Sequence, residues 1–211
     1  MPDLSPELAA ALVEDIITSS RDLNGGTTMV TELIRVDASV LIHDCLERHG
    51  VPPEATSVAA VRKAMALPID DRIRPLPGAL ELLVAIRSFG LRCVIASNTY
   101  WRDADGYWED FRTLGMAPFI DAIVTSVDAG HLKPHRAVFD LAVQAAGVPA
   151  ERCVVIGNKE AHDIEPALAL GMRTILVHPD DPAPATSRAH AVAPDLWACA
   201  GALRAMLGRS A

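Results

Sequence analysis

The stretch Leu91-Arg92-Cys93-Val94-Ile95-Ala96-Ser97-Asn98-Thr99 decides the fold. Five of its first six residues are apolar or small, and the run stops abruptly in Ser-Asn-Thr. A short apolar run rich in β-branched residues and closed by polar turn residues reads as a strand buried on both faces. Such strands lie in parallel sheets, whose ligands bind beyond the carboxyl ends. Ser97, Asn98 and Thr99 are therefore expected at the mouth of a site, offering two hydroxyls and an amide.

Working outward from that strand, the pattern alternates. Ala79, Leu82, Leu83 and Ile86 mark a helix stopped by Gly90, just before it. After it, Tyr107, Trp108, Phe111 and Leu114 set the inward face of a helix over 103–114. Further strands are expected at Ile120–Thr125, Cys153–Ile156 and Thr174–Val177. Val138, Leu141, Ala142 and Ala145 give a helix ended by Gly147, and a shorter helix is expected over 164–170. The Pro- and Ala-rich segment 179–194 reads as a surface loop, and Leu196, Ala200, Leu203 and Leu207 as a final helix. Strands alternating with helices imply an α/β fold, a parallel sheet joined by right-handed crossovers.

The first 75 residues differ, being helical throughout. Ser5 is an N-cap with Pro6 at the first helical position, and Leu4, Leu8, Leu12 and Ile16 follow at helical spacing until Asn24-Gly25-Gly26. Further helices are expected over 28–49 and 58–66. The domain division is therefore 1–75, a helical region, and 76–211, the α/β core.

Composition narrows the function. A chain of 211 residues with half its residues apolar supports one core plus a small addition. The net charge of −8 argues against a nucleic-acid surface. No apolar run approaches a membrane span, and MPDLSPEL lacks the regions of a signal peptide. The cysteines Cys45, Cys93, Cys153 and Cys199 form no CxxC pair, which fits a reducing compartment. A cytoplasmic protein is expected. Its oligomeric state is not legible.

Two more strand ends carry polar groups. Lys133, in Gly130-His131-Leu132-Lys133-Pro134, follows the second strand and supplies a mobile positive charge suited to a phosphate oxygen. Gly157-Asn158-Lys159-Glu160-Ala161-His162-Asp163 follows the third strand and places Asp163 ahead of a helix.

As a set, IASNT with Ser97, HLKPHRAVFDLAVQAAGV with Lys133 and VVIGNKEAHDIEPALALGM with Asn158 and Asp163 resemble the second, third and fourth motifs of the haloacid dehalogenase (HAD) superfamily. The resemblance covers about residues 76–178. It implies a Rossmann-like sheet flanked by helices, with residues 1–75 as a cap over the site. It also implies a phosphatase working through an aspartyl-phosphate on a small phosphorylated metabolite. Ser97 would hold the phosphoryl group, with Asn98, Thr99 and Lys133 also binding substrate. Lys133 would neutralise charge, and Asp163 with Asn158 would hold Mg²⁺.

The chain departs from that family at two places. The first motif should be a buried strand ending in DxDGT. The nearest segment, Asp22-Leu23-Asn24-Gly25-Gly26-Thr27, offers Asp22 as nucleophile and Asn24 at the acid/base position. The preceding residues 13–21 are better suited to a helix than to a central strand, although a strand there is the alternative. Without that strand, the two flanking strands either pair directly or leave a slot about 10 Å wide. Asn158 removes a metal carboxylate, which weakens Mg²⁺; Glu160 could compensate. The alternatives are a catalytically inactive phosphate-binding or regulatory protein, and a metal-free dehalogenase-type hydrolase.

Overall fold

The computed structural model describes residues 4–25, 38–66, 68–69, 73–177 and 186–208, with the backbone alone over 21–25. Helix α1 (Pro6–Gly25) begins where Ser5 Oγ accepts the Leu8 amide at 3.3 Å, the N-cap expected from the sequence. It runs through residues 13–21, so the strand alternative for that segment is overturned: its apolar residues recur every three to four positions, and Leu12 and Ile16 are buried.

Helix α2 (Ala38–Arg48) packs against α1 and against α3 (Ala55–Met65). The helix expected over 28–49 is thus seen from Ala38, and its first part lies outside the described residues. Arg48 donates to both oxygens of Asp15, at 2.9 and 3.1 Å, tying α2 to α1. Ile16, Ile42 and Leu46 are fully buried, each worth about 2 kcal/mol of apolar transfer. The same cluster takes in Tyr100 and Leu132, which sit on loops of the α/β half. One loop follows Ser97 and the other carries Lys133, so the helical region is seated on the segments that hold the candidate site.

The α/β half starts at α4 (Ala79–Ser88). Gly78 precedes it at φ 85°, and a Cβ there would meet the Trp197 ring at 3.0 Å. Only glycine satisfies both conditions. Strand β1 (Val94–Ser97) pairs in parallel with β2 (Ala122–Thr125). Between them α5 (Ala104–Thr113) packs Tyr107, Trp108 and Phe111 inward, as its spacing predicts. A one-turn helix, α6 (Ser126–Ala129), follows β2, and α7 (Arg136–Ala146) comes next. Strand β3 (Val154–Gly157) pairs in parallel with β4 (Arg173–Val177), which pairs with β5 (Ala191–Ala193). Helix α8 (Glu165–Ala169) joins β3 to β4, and α9 (Leu196–Gly208) closes the chain against α4.

Two expectations are corrected. Segment 179–194 includes β5, a three-residue strand too short to stand out of a Pro- and Ala-rich stretch. The parallel sheet is also split: β1-β2 and β3-β4-β5 are separate, and β1 does not pair with β3 among the described residues. Of the two outcomes expected without a central strand, direct pairing of the flanking strands is not seen among the described residues. Helix α4 packs on both sheets, Leu83 clustering with Cys93, Ile95 and Ile123, and Leu82 with Val154, Ile156 and Ile175. Among the described residues no helix is long and apolar enough to cross a membrane.

Candidate functional site

The polar residues collect at the carboxyl ends of β1, β2 and β3. Ser97 ends β1, and its hydroxyl lies 3.0 Å from the Tyr107 hydroxyl of α5. Asn98 clamps the next loop in register: its amide nitrogen donates to Lys133 O at 3.1 Å, and its amide oxygen accepts from Lys133 N at 2.7 Å. These two bonds copy one rung of a sheet ladder, and they hold the backbone of Lys133 beside the end of β1.

Thr99 is spent on structure. It is buried, its amide donates to Ser126 Oγ at 2.7 Å, and its carbonyl accepts from the same hydroxyl at 2.6 Å. Its own hydroxyl accepts from the Trp101 amide. Ser126, fully buried at the start of α6, was not singled out by sequence reasoning, because nothing local in Thr125-Ser126-Val127 points to a partner 27 residues away.

Lys133 ties the end of β1 to the turn that follows β3. Its ammonium donates to Ala96 O of β1 at 3.1 Å and to Asp163 Oδ1 at 2.6 Å. An ammonium has three N–H donors, so one is left for an incoming anion. Asp163 is buried, at 6% exposure, and its second oxygen accepts from the Lys159 amide at 3.1 Å. It sits in a π-helical turn, Glu160–Ile164, that brings its side chain down against Gly157. A Cβ on Gly157 would lie 2.3 Å from Asp163 Cβ, so the end of β3 has to be glycine for the carboxylate to reach Lys133.

Asn158 is exposed at the mouth. Glu160 does not supply the missing carboxylate. Its oxygens accept from Ser187 Oγ at 2.9 Å and Arg188 N at 2.8 Å, holding the segment that leads to β5. For Mg²⁺ the donor set is therefore one carboxylate, already bonded at both oxygens, and one exposed amide. A carboxylate keeps free lone pairs after two hydrogen bonds, so the pair fits the cation weakly, with water and phosphate completing the shell. Asp22 lies on α1, among residues whose side chains are outside those described, so the structure places its backbone in a helix and says nothing of its carboxylate.

His162 stands in the same turn. Burial lowers its pKa below the ordinary imidazole value, and the positive charges of Lys159 and Lys133 lower it further, against the opposing pull of Asp163. Tyr100 and Trp101, directly after Thr99, belong to the packing of the helical region. Arg102 and Asp110 form a buried ion pair behind Tyr107, and Asp110 also accepts the Ile69 amide at 3.0 Å.

A sequence model of haloacid dehalogenase-like hydrolases matches residues 7–171. Among curated proteins, a glyceraldehyde 3-phosphate phosphatase of Methanothermobacter thermautotrophicus is 36% identical over 106 residues, covering 50% of this chain and 46% of that one. The chain thus spans about half the length of such relatives. Among solved structures, a HAD phosphatase from Thermococcus onnurineus superposes with a TM-score of 0.62 at 15% identity, covering 96% of this chain and 87% of that one. A 2-haloacid dehalogenase from Pseudomonas syringae pv. Tomato gives 0.60 at 22% identity, covering 99% and 94%. At these identities the structural likeness speaks for the fold.

Proposed function

The chain belongs to the haloacid dehalogenase-like hydrolases, and from that premise we propose that it is a phosphatase of small phosphorylated metabolites, with residues 1–75 serving as a cap over a core of residues 76–211. The observation that carries the reading is the Lys133 ammonium held between Ala96 O, the carbonyl just before Ser97, and Asp163. In this reading Ser97 and the Asn98 region receive the phosphoryl oxygens, and the remaining donor of Lys133 meets the charge that grows on them. Charge stabilisation from preorganised donors is the main resource of phosphoryl transfer. The relatives named as glyceraldehyde 3-phosphate phosphatases make a triose phosphate the first substrate to try.

Mg²⁺, when bound, would be held by Asp163 and Asn158 and would neutralise phosphate charge. Asp22 is the proposed nucleophile, on the strength of its sequence context alone. The experiment is release of phosphate from glyceraldehyde 3-phosphate and from an aryl phosphate, with and without Mg²⁺, by wild type, Lys133→Ala and Asp22→Ala. Turnover lost in Lys133→Ala supports the site, and turnover that survives Asp22→Ala removes Asp22 from the nucleophile's role. The second reading, a phosphate-binding protein without turnover, is favoured by Asn158 in place of a carboxylate. Phosphate binding with no turnover of any substrate would establish it.

A further inference from the structure

We propose that Tyr107 is a positioning residue for Ser97, its phenol O–H donating to Ser97 Oγ so that the serine's own proton is turned to a phosphate oxygen. The inference rests on the phosphatase reading in taking phosphate as the ligand of Ser97, and it adds a residue from outside the strand ends. It starts from the alternation of side chains along a strand. Cys93 and Ile95 cluster with Leu83, Ile123 and the aromatic residues of α5. Ser97, two residues on from Ile95, continues that face at the point where β1 ends. Its hydroxyl emerges beside α5, and the residue of α5 that meets it is Tyr107, with the two oxygens 3.0 Å apart.

The pattern of α5 accounts for the ring of Tyr107 but not for its hydroxyl. Ala104, Tyr107, Trp108 and Phe111 form the inward stripe, where a phenylalanine would pack in the same way. A phenol in such a place needs a partner for its O–H. Among the described residues that partner is Ser97. The ring is also braced. The Arg102 guanidinium lies over it at 5.7 Å from the centroid and is itself bound by the Asp110 carboxylate and the Gly106 carbonyl. A Cβ on Gly106 would come within 3.1 Å of Arg102 Nε, so a glycine there leaves the guanidinium its place. Asp110 in turn accepts the Ile69 amide at 3.0 Å, which ties α5 to the helical region. The phenol oxygen is thus a fixed point, and the serine hydroxyl is the member of the pair that can turn.

A proton count gives the bond its direction. A serine hydroxyl has one proton and two lone pairs. Two protein acceptors lie within its reach, the Tyr107 oxygen at 3.0 Å and Asn98 O at 3.5 Å. A phosphate oxygen, being charged, is a stronger acceptor than either. When phosphate takes the serine proton, a lone pair of Oγ faces the phenol, which then donates. That bond holds Oγ in one staggered well and makes the serine a better donor, because linked hydrogen bonds polarise one another. Without the phenol the hydroxyl is free to leave that well and to spend its proton on Asn98 O.

The test is NMR on the full chain, comparing wild type with Tyr107→Phe, which keeps the ring and removes only the hydroxyl. Scalar couplings to the Ser97 β-protons report its χ1 rotamer, and titration with inorganic phosphate reports affinity through the Asn98 amide. Wild type is expected to hold Ser97 in one rotamer with and without phosphate. In Tyr107→Phe the couplings of the free protein should be averaged over rotamers, and phosphate should bind about threefold to tenfold more weakly, the effect of one lost hydrogen bond. A role for Tyr107 in packing alone would leave both readouts as they are in wild type. A single Ser97 rotamer retained in Tyr107→Phe, or an unchanged phosphate affinity, would overturn the proposal while leaving the phosphatase reading standing. Absence of phosphate binding by the wild type would overturn both together.

Discussion

Replacing Lys133 by Met should destabilise the core and leave a specific signature in combination with Asp163→Asn. The two side chains are 14% and 8% exposed, and their charged atoms are 2.6 Å apart. At an effective dielectric near 20, that separation corresponds to roughly 6 kcal/mol of attraction before desolvation is counted. Most of it is offset by the cost of taking both ions from water. What survives is the asymmetry: removing the lysine leaves a buried carboxylate with one backbone donor, Lys159 N, and orphans Ala96 O. Breaking a buried pair from one side costs about 3 kcal/mol or more, and an orphaned carbonyl adds about 1 kcal/mol. A core with typical stability of about 5–15 kcal/mol would survive but unfold at visibly lower urea. Asp163→Asn alone should cost less, because an amide tolerates burial better than a lone charge. The double variant should recover about 2 kcal/mol relative to the sum of the singles. The assay is urea denaturation followed by circular dichroism at neutral pH for wild type, both singles and the double. A loss under about 0.5 kcal/mol for Lys133→Met, or strict additivity in the double, would refute the reasoning that this pair is the keystone of the strand ends.

Three further outcomes follow from the same geometry. Gly157→Ala should cost about 1–3 kcal/mol by overpacking, because its Cβ would overlap the Asp163 side chain, and it should weaken phosphate binding along with it; unchanged melting and binding would contradict the placement of Asp163. The His162 imidazole should titrate below ordinary histidine in an NMR pH series, and Lys133→Ala should move it back up, since a cation is removed. The sign for stability is that an unfolded imidazole takes its proton first as pH falls, so this residue's contribution is present above about pH 6.5 and is lost on acidification from there through its lower folded value. Asn158→Asp should tighten Mg²⁺ by about tenfold or more, read by calorimetry in the presence of phosphate; an unchanged affinity would move the cation away from the end of β3.

Much of the scaffold was legible because it is written in local patterns. Val94-Ile95-Ala96 and Val154-Val155-Ile156 announce themselves as buried strands, and Ser97, Lys133 and Asp163 are the polar residues at the ends of such runs. Contacts between distant segments were not legible. The Asn98 clamp joins residues 35 apart, and the Thr99–Ser126 pair joins residues 27 apart, so neither leaves a periodic trace in sequence. Glu160 looked available to a metal because its partners, Ser187 and Arg188, lie beyond a whole strand-helix unit. The division of the sheet was foreseeable from the missing central strand, but which way each strand turns its peptide groups depends on the phase of β1 and β3. That phase is set by the first ladder bonds at Cys93 and Cys153 and not by side-chain identity.

The most direct measurement is titration of inorganic phosphate into isotope-labelled protein, followed by amide and lysine-ammonium NMR shifts. Saturable shifts are expected at Ser97, Asn98, the Lys133 ammonium and residues 158–163, all abolished by Lys133→Ala. Shifts that gather elsewhere, or none up to concentrations of tens of millimolar, would contradict the assignment of the site.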